Sequence, residues 1–351
     1  MKVLQISQYM YFGGGVSFHV MEISKEIANN HNVEILTYDT EENPVTDKEE
    51  ISQIKEKDSY YSELQNKIET THIPVSPDKS INQLISKMRE ADVVHLHMTL
   101  SLRGLAKQTL LVAELLDRKI FLSVHTSESS RKDLESIHKT ILDRLDSHSI
   151  IAVSQAVQDA LKSRNIDSKV VRNGVNTNFF SPSHQSREGL LFVGRNVKRK
   201  GIEFVKESAR KNPDIKHKFV TNNLENEIKE LENTEVFENL TRSELRKVYQ
   251  NSEALILPSR WGEGLPLVIL ESLACGTPVI SSDAPGNKKI INSNVGKILT
   301  QIDSTNIAKA FNELENENTE NKCRKESKKF SLKKKSDKLV NLYKRESNNR
   351  G

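Results

Sequence analysis

The 351 residues exceed what one hydrophobic core usually supports, so two domains are the expected division. A hydrophobic content of 36% against 28% charged residues suits a water-soluble globular chain and excludes a membrane-embedded one, since no apolar run approaches the ~18 residues of a spanning helix. The net charge of +4 is uneven: from Lys322 onward twelve Lys or Arg stand against three acids, which leaves the rest of the chain acidic.

The N-terminal run Lys2–Ile6 turns polar at Gln5 and Ser7, too early for a signal peptide, and reads instead as a first strand in a cytoplasmic protein. Further strands are predicted at Val33–Tyr38, Val93–His97, Ile120–His125 and Ser149–Val153, with helices at Val16–Ala28, Ile81–Glu90, Gly104–Asp117 and Ser154–Ser163. Residues Glu41 to Ser80 are charged and read as an irregular excursion from the sheet. The pattern breaks at the Asn173-Gly174 turn and the polar segment Ser181-Pro182-Ser183-His184-Gln185-Ser186. It restarts with a strand at Gly189–Val193, a helix after Gly201, and strands near Lys218–Val220, Val236–Glu238, Ala254–Leu257 and Pro278–Ser281. Thr241-Arg242-Ser243-Glu244 is a capping box that starts a helix. Alternating strands and helices in both halves predict two Rossmann-like parallel sheets with ligands at their carboxyl ends. The boundaries are 1–175 for the first domain, 176–188 for a linker, 189–325 for the second domain and 326–351 for a basic helix and tail.

Three loops that follow strands carry candidate chemistry. Gly13-Gly14-Gly15 precedes the first helix, where glycines let a ligand approach the backbone N–H groups; a turn serving helix packing alone has equal claim. Gly194 through Gly201 carries Arg195 and Lys200, a guanidinium fork and a point charge suited to phosphate oxygens, or else a solvated basic loop. In Glu263-Gly264-Leu265-Pro266-Leu267-Val268-Ile269-Leu270-Glu271, Pro266 suits the first helical position, so Glu263 falls in the loop and Glu271 more than a turn into the helix. His125 ends a strand, where a functional role is more usual than at mid-strand His95 and His97; His19 lies in the first helix. No His or Cys spacing suggests a metal site, Cys275 reads as a small buried residue, and Cys323 has no partner spacing.

Taken together these segments resemble the retaining glycosyltransferases of family 4, which share the GT-B fold. The resemblance includes the Gly-Gly turn with His19, the strand Asp92–His97, His125, Asn173-Gly174-Val175-Asn176, Gly194-Arg195 through Lys200-Gly201, and two glutamates separated by seven residues and followed by Ser272 through Ile280. It implies transfer of a sugar from a nucleotide diphosphate sugar, a UDP-sugar favoured over GDP- or ADP-sugars, across a cleft between two facing sheets. Arg195 and Lys200 would hold the diphosphate, Glu271 the ribose, and Glu263 with Gly264, Leu265, Pro266 and Leu267 the donor sugar. His125 would reach that sugar from the other domain, and Gly14 and Gly15 would approach the phosphate and acceptor side. Neither a cofactor nor a metal is implied, and neither half holds an Asp-x-Asp triplet. The acceptor would be a glycan, a lipid-linked sugar or a small molecule.

Where the family often has an aspartate and a Gly-Gly-Glu turn, this chain has Asn176 and Ala284-Pro285-Gly286-Asn287-Lys288-Lys289, which bears on donor choice. The basic C-terminal segment reads either as a solvated helix face or as a peripheral contact at the inner face of a membrane; no nucleic-acid partner is expected. Competing readings are a nucleotide-sugar epimerase on the same fold and a non-catalytic nucleotide-sugar-binding module.

Overall fold

The structure, a computed structural model, describes residues 1–8, 15–38, 59–98, 104–125, 145, 148–261, 263–314 and 319–348. The chain divides into two compact units: Met1–Asn173 with Leu332–Gly351, and Gly174–Ser331.

In the first unit, strands β1 (Lys2–Ser7), β2 (Asn32–Tyr38), β3 (Glu69–Ile73), β4 (Val93–Met98), β5 (Phe121–Val124), β6 (Ser149–Ala152) and β7 (Lys169–Val170) form one sheet in the order β3-β2-β1-β4-β5-β6-β7. Each pairing is parallel, as helical crossovers require. Helices α1 (Gly15–Ala28), α2 (Ser59–Gln65), α3 (Pro77–Glu90), α4 (Gly104–Leu115) and α5 (Gln155–Lys162) lie between the strands. Helix α3 shows why such segments dock: Ser80, Leu84 and Met88 recur every four residues and are fully buried, behind a proline in the first turn. Burying a Leu or Met side chain is worth about 1.5–3 kcal/mol.

The supposed irregular excursion Glu41–Ser80 needs correction. Residues 41–58 lie outside the described set, but the remainder contains α2, β3 and the start of α3, with β3 paired along β2 from Glu34–Glu69 to Tyr38–Ile73. The strand escaped notice because, at the sheet edge, only Ile73 of Glu-Thr-Thr-His-Ile is buried, so no apolar run marks it.

The final helix of the chain, α13 (Leu332–Asn348), belongs to this unit. It buries Leu332, Lys335, Ser336, Leu339 and Tyr343 against α1 and the sheet, and turns Lys333, Lys334, Lys338, Lys344 and Arg345 to solvent. Near its end Glu346 accepts from Lys169 at 2.6 Å and from Ser149, and lies 3.1 Å from Lys119.

In the second unit, β8 (Leu190–Val193), β9 (His217–Val220), β10 (Thr234–Phe237), β11 (Ala254–Leu257), β12 (Val279–Ser282) and β13 (Gly296–Leu299) form a second parallel sheet in the order β10-β9-β8-β11-β12-β13. Helices α6 (Ile202–Lys211), α7 (Asn226–Lys229), α8 (Arg242–Gln250), α9 (Leu267–Ala274), α10 (Pro285–Lys288), α11 (Ser304–Asn312) and α12 (Thr319–Ser327) cover it. Alternate residues serve opposite faces: Leu191, Val193, Leu255, Leu257 and Val279 join one core cluster, while Leu190, Phe192, Ala254, Ile256 and Ile280 join another. Both faces are therefore buried, which is why β8 and β11 read as continuous apolar runs.

The chain lays β8, β9 and β10 outward in one direction and then returns to place β11 on the other side of β8. That reversal leaves a crevice beyond the carboxyl ends of β8 and β11, where open α/β sheets bind ligands.

Candidate functional site

The loops after β8 and β11 meet at this reversal. Gly194 leaves β8, and the loop closes through a short 3-10 turn, Lys198–Lys200, onto Gly201 at φ +67°. A Cβ on Gly201 would stand 2.0 Å from the Pro258 carbonyl oxygen, so glycine is required both by the left-handed backbone and by the approach of the second loop. The Arg260 N–H donates to the Arg199 carbonyl at 2.9 Å, stitching the loops together.

This juxtaposition unites two residues expected from the sequence. Lys200 Nζ donates to Glu263 Oε1 at 2.7 Å, the Ser259 hydroxyl donates to the same oxygen at 2.8 Å, and Arg199 Nη1 lies 3.4 Å from it. Glu263 is only 6% exposed. Burial pushes its carboxyl upward, but the opposing charge and hydrogen bond of Lys200, with Arg199 and Ser259, hold it below the usual carboxylate range. Glu263 is therefore an ionised, buried carboxylate at neutral pH. Arg195 stands apart from the pair, exposed and without an ion-pair partner among the described residues.

Gly264, Leu265 and Pro266 are buried behind Glu263, and the helix α9 begins at Leu267 with Pro266 as its N-cap, one position earlier than expected for the proline. The loop rests on the segment Ala284–Lys289: a Cβ on Gly286 would lie 2.5 Å from the Gly264 carbonyl oxygen and 2.9 Å from that of Glu263. Lys288 and Lys289 face solvent, Lys288 paired with Asp283 at 3.0 Å.

Glu271 sits in a separate constellation. Its Oε1 accepts from Arg242 Nη2 at 2.7 Å and its Oε2 from the Tyr249 hydroxyl at 2.9 Å, with the Arg242 guanidinium 4.8 Å over the Phe180 ring. Arg242 and Tyr249 share one face of α8 at i and i+7, behind the observed Thr241–Glu244 capping box. Burial and then the neighbouring Glu271 charge raise the Tyr249 hydroxyl well above its ordinary value, so it stays a donor.

In the first unit, Gly15 opens α1, Gly14 lies outside the described residues, and His125 follows β5 at 7% exposure. His125 Nε2 is 3.2 Å from His97 Nδ1, and His97 Nε2 is 2.7 Å from Gln5 Oε1. Burial, reinforced by Lys335 and His95, pushes His125 well below its ordinary value and keeps its ring neutral. Mid-strand His95 is satisfied by Tyr343 at 2.5 Å and Ser123 at 2.8 Å, the packing role usual at such a position.

Sequence reasoning missed Arg199, Ser259, Arg242, Tyr249 and Gly286. For Arg242 and Tyr249 a helical wheel of the capped segment was available as a signal; nothing local announced that Gly286 touches the Glu263 loop.

Residues 175–330 match the family Glycosyl transferases group 1, and residues 13–179 match Glycosyltransferase Family 4. The chain belongs to the group 1 and family 4 type of glycosyltransferases. An uncharacterised glycosyltransferase of Methanocaldococcus jannaschii is 26% identical over 333 residues, covering 87% of this chain and 86% of that protein. Among solved structures, sucrose-phosphate synthase of Thermosynechococcus elongatus matches with a TM-score of 0.76 at 15% identity, covering 98% of each chain. HepE of Anabaena, solved with UDP-glucose, matches with a TM-score of 0.75 at 16% identity, covering 97% of this chain and 99% of that one. The two parallel-sheet units thus constitute a GT-B glycosyltransferase fold. Among the described residues, no helix of this transferase is long and apolar enough to cross a membrane.

Proposed function

We propose that this glycosyltransferase moves a sugar from a UDP-sugar to a sugar-containing or lipid-linked acceptor, with retention of configuration. The observation that carries the reading is the Lys200–Glu263 pair at 2.7 Å, at the β8/β11 strand reversal where this sheet type takes its ligands. HepE, solved with UDP-glucose, supports the choice of donor to test first.

In this reading Lys200 and Arg195 hold the diphosphate, and Arg195 is free to swing onto it. As the bond from the anomeric carbon to the phosphate oxygen breaks, its electron pair passes to the diphosphate, and the cations take up the growing charge without requiring a metal. The acceptor oxygen bonds to the anomeric carbon on the face the diphosphate leaves, and its proton goes to the departing phosphate. Glu263, kept ionised by Lys200, and the N–H groups at the start of α9 meet the donor sugar. The neutral His125 ring serves a sugar hydroxyl, and Glu271 offers its remaining lone pairs to the ribose while Arg242 and Tyr249 fix its direction. The five cations on the solvent face of α13 support contact with an anionic lipid surface, to be read by flotation with phosphatidylglycerol vesicles; a protein that stays at the bottom of the gradient sinks that part.

The test is release of nucleoside diphosphate on incubation with UDP-, GDP- and ADP-sugars and a panel of sugar acceptors, repeated in the presence of a chelator. Release that persists with chelator and is lost in a folded Lys200→Ala protein supports the reading. Absence of binding to every nucleotide sugar at millimolar concentration overturns it.

A further inference from the structure

Lys335 is a lysine in an unusual place. It occupies the buried face of α13 at 2% exposure, and no carboxylate pairs with it among the described residues. Its Nζ lies 2.6 Å from His19 Nε2 and 3.0 Å from Asn173 Oδ1. The titratable groups that meet it or feel its charge are His19 from α1, His95 and His97 from β4, and His125 after β5. None of these is an acid. An ammonium here would stand, among the described residues, in a buried cluster of imidazoles with no carboxylate, and burial pushes the amine down to about 7. Its charge, when present, bears on His95, His97 and His125 alike.

The geometry defines what this amine does. It donates to Asn173 Oδ1 and meets His19 Nε2 in one hydrogen bond, either giving an N–H to it or accepting its N–H on the amine lone pair, so the ring is held by that nitrogen. The His19 ring then meets the His125 ring edge-on, with centroids 5.8 Å apart and planes at 65°. We propose that Lys335 is a positioning residue of the transferase: reaching in from the last helix, its amine holds His19 in one orientation and one tautomer, and through that ring sets the pose of His125. The kinetic consequence rests on the role proposed above for His125; the structural statement does not.

Two readouts separate these. Nitrogen-15 correlation spectra of the histidine rings report tautomers without any substrate, and kcat and KM against pH report the reaction. In the wild type His19 populates a single tautomer. Lys335→Met, an apolar side chain of similar length, releases His19 into a tautomer mixture and perturbs the His125 signals. Lys335→Gln, which keeps a donor without the charge, restores the wild-type His19 pattern and serves if the Met protein folds poorly. In turnover, wild-type kcat falls on the acid side near pH 7, whereas Lys335→Met loses that limb and at pH 8 shows kcat lower by about tenfold with donor KM within about twofold. Unchanged ring spectra in both variants would overturn the proposal and leave Lys335 a packing residue. Should the wild type transfer no sugar at all, the assignment of function fails while the spectra still decide the role of Lys335.

Discussion

A Glu271→Gln substitution keeps the side-chain volume and removes the charge, so its effect on stability reads the electrostatics of one buried constellation. Arg242, 7% exposed, keeps its cation at 2.7 Å from Glu271 Oε1, and Tyr249 donates to Oε2 at 2.9 Å. A glutamine offers a single carbonyl to those two donors and turns an NH2 group toward the other. A buried cation that loses its partner costs about 3–5 kcal/mol, and the surviving stack of Arg242 over Phe180 at 4.8 Å offsets part of it. The expected loss is about 3 kcal/mol for Glu271→Gln and about 1 kcal/mol for Tyr249→Phe, which deletes one hydrogen bond. Trp261, the only tryptophan of the chain, lies in the second unit and reports its urea unfolding by fluorescence. With a slope of about 2 kcal/mol/M, Glu271→Gln should lower the midpoint by roughly 1.5 M. A midpoint within about 0.2 M of wild type would refute the reasoning, because Arg242 would then be held well enough without the Glu271 charge. The same result bears on function: loss of nucleotide binding in a Glu271 variant is informative only after its folding has been checked.

Gly201→Ala forces a left-handed alanine whose Cβ meets the Pro258 carbonyl at 2.0 Å; it should cost about 2–4 kcal/mol by the same Trp261 readout, and a neutral outcome would mean the two loops are not held together. Glu263 has a folded pKa below its unfolded one, so the Lys200 pair contributes stability above about pH 4.5 that is lost as pH falls through the folded value. Lys200→Met should therefore flatten the melting temperature between pH 3 and 6, and an unchanged slope would deny the pairing. Lys335 gives a slope of the same sign but as a cost: its amine is lowered to about 7 in the fold from 10.5, so burial costs most below pH 7 and less as pH rises toward 10.5. Lys335→Met should remove that pH dependence from the protection factors of the α13 amides; a dependence that persists would contradict it.

The inner strands were legible because both their faces are buried: β8 and β11 are runs of apolar residues, and β12 opens with Val279-Ile280, all bounded by turns. Three edge strands were not. β3 buries one residue of five, β7 has two residues, and β13 begins with a glycine, so none presents a run or an alternation. The site divides along a similar line. Glu263, Lys200 and Arg195 follow predicted strands, so fold logic alone pointed to their loops. Their pairing depends on how two loops cross, and Arg199 rather than Arg195 turned out to share Glu263 with Lys200, a choice made by the 3-10 turn that no local pattern announces. Lys335 was hidden by its company: within Lys333-Lys334-Lys335 it reads as one more solvated charge, yet its spacing to Leu332, Leu339 and Tyr343 places it on the inner face of the helix.

Calorimetric titration of the protein with UDP and UDP-glucose, beside Lys200→Ala and Arg195→Ala proteins of verified fold, addresses the nucleotide site most directly. Wild-type protein should bind, and losing one charge-assisted contact from Lys200 should weaken affinity by about tenfold or more. Heat of binding that is absent for every nucleoside diphosphate at millimolar concentration, or an affinity untouched by removing Lys200, would contradict the assignment of the β8/β11 crevice.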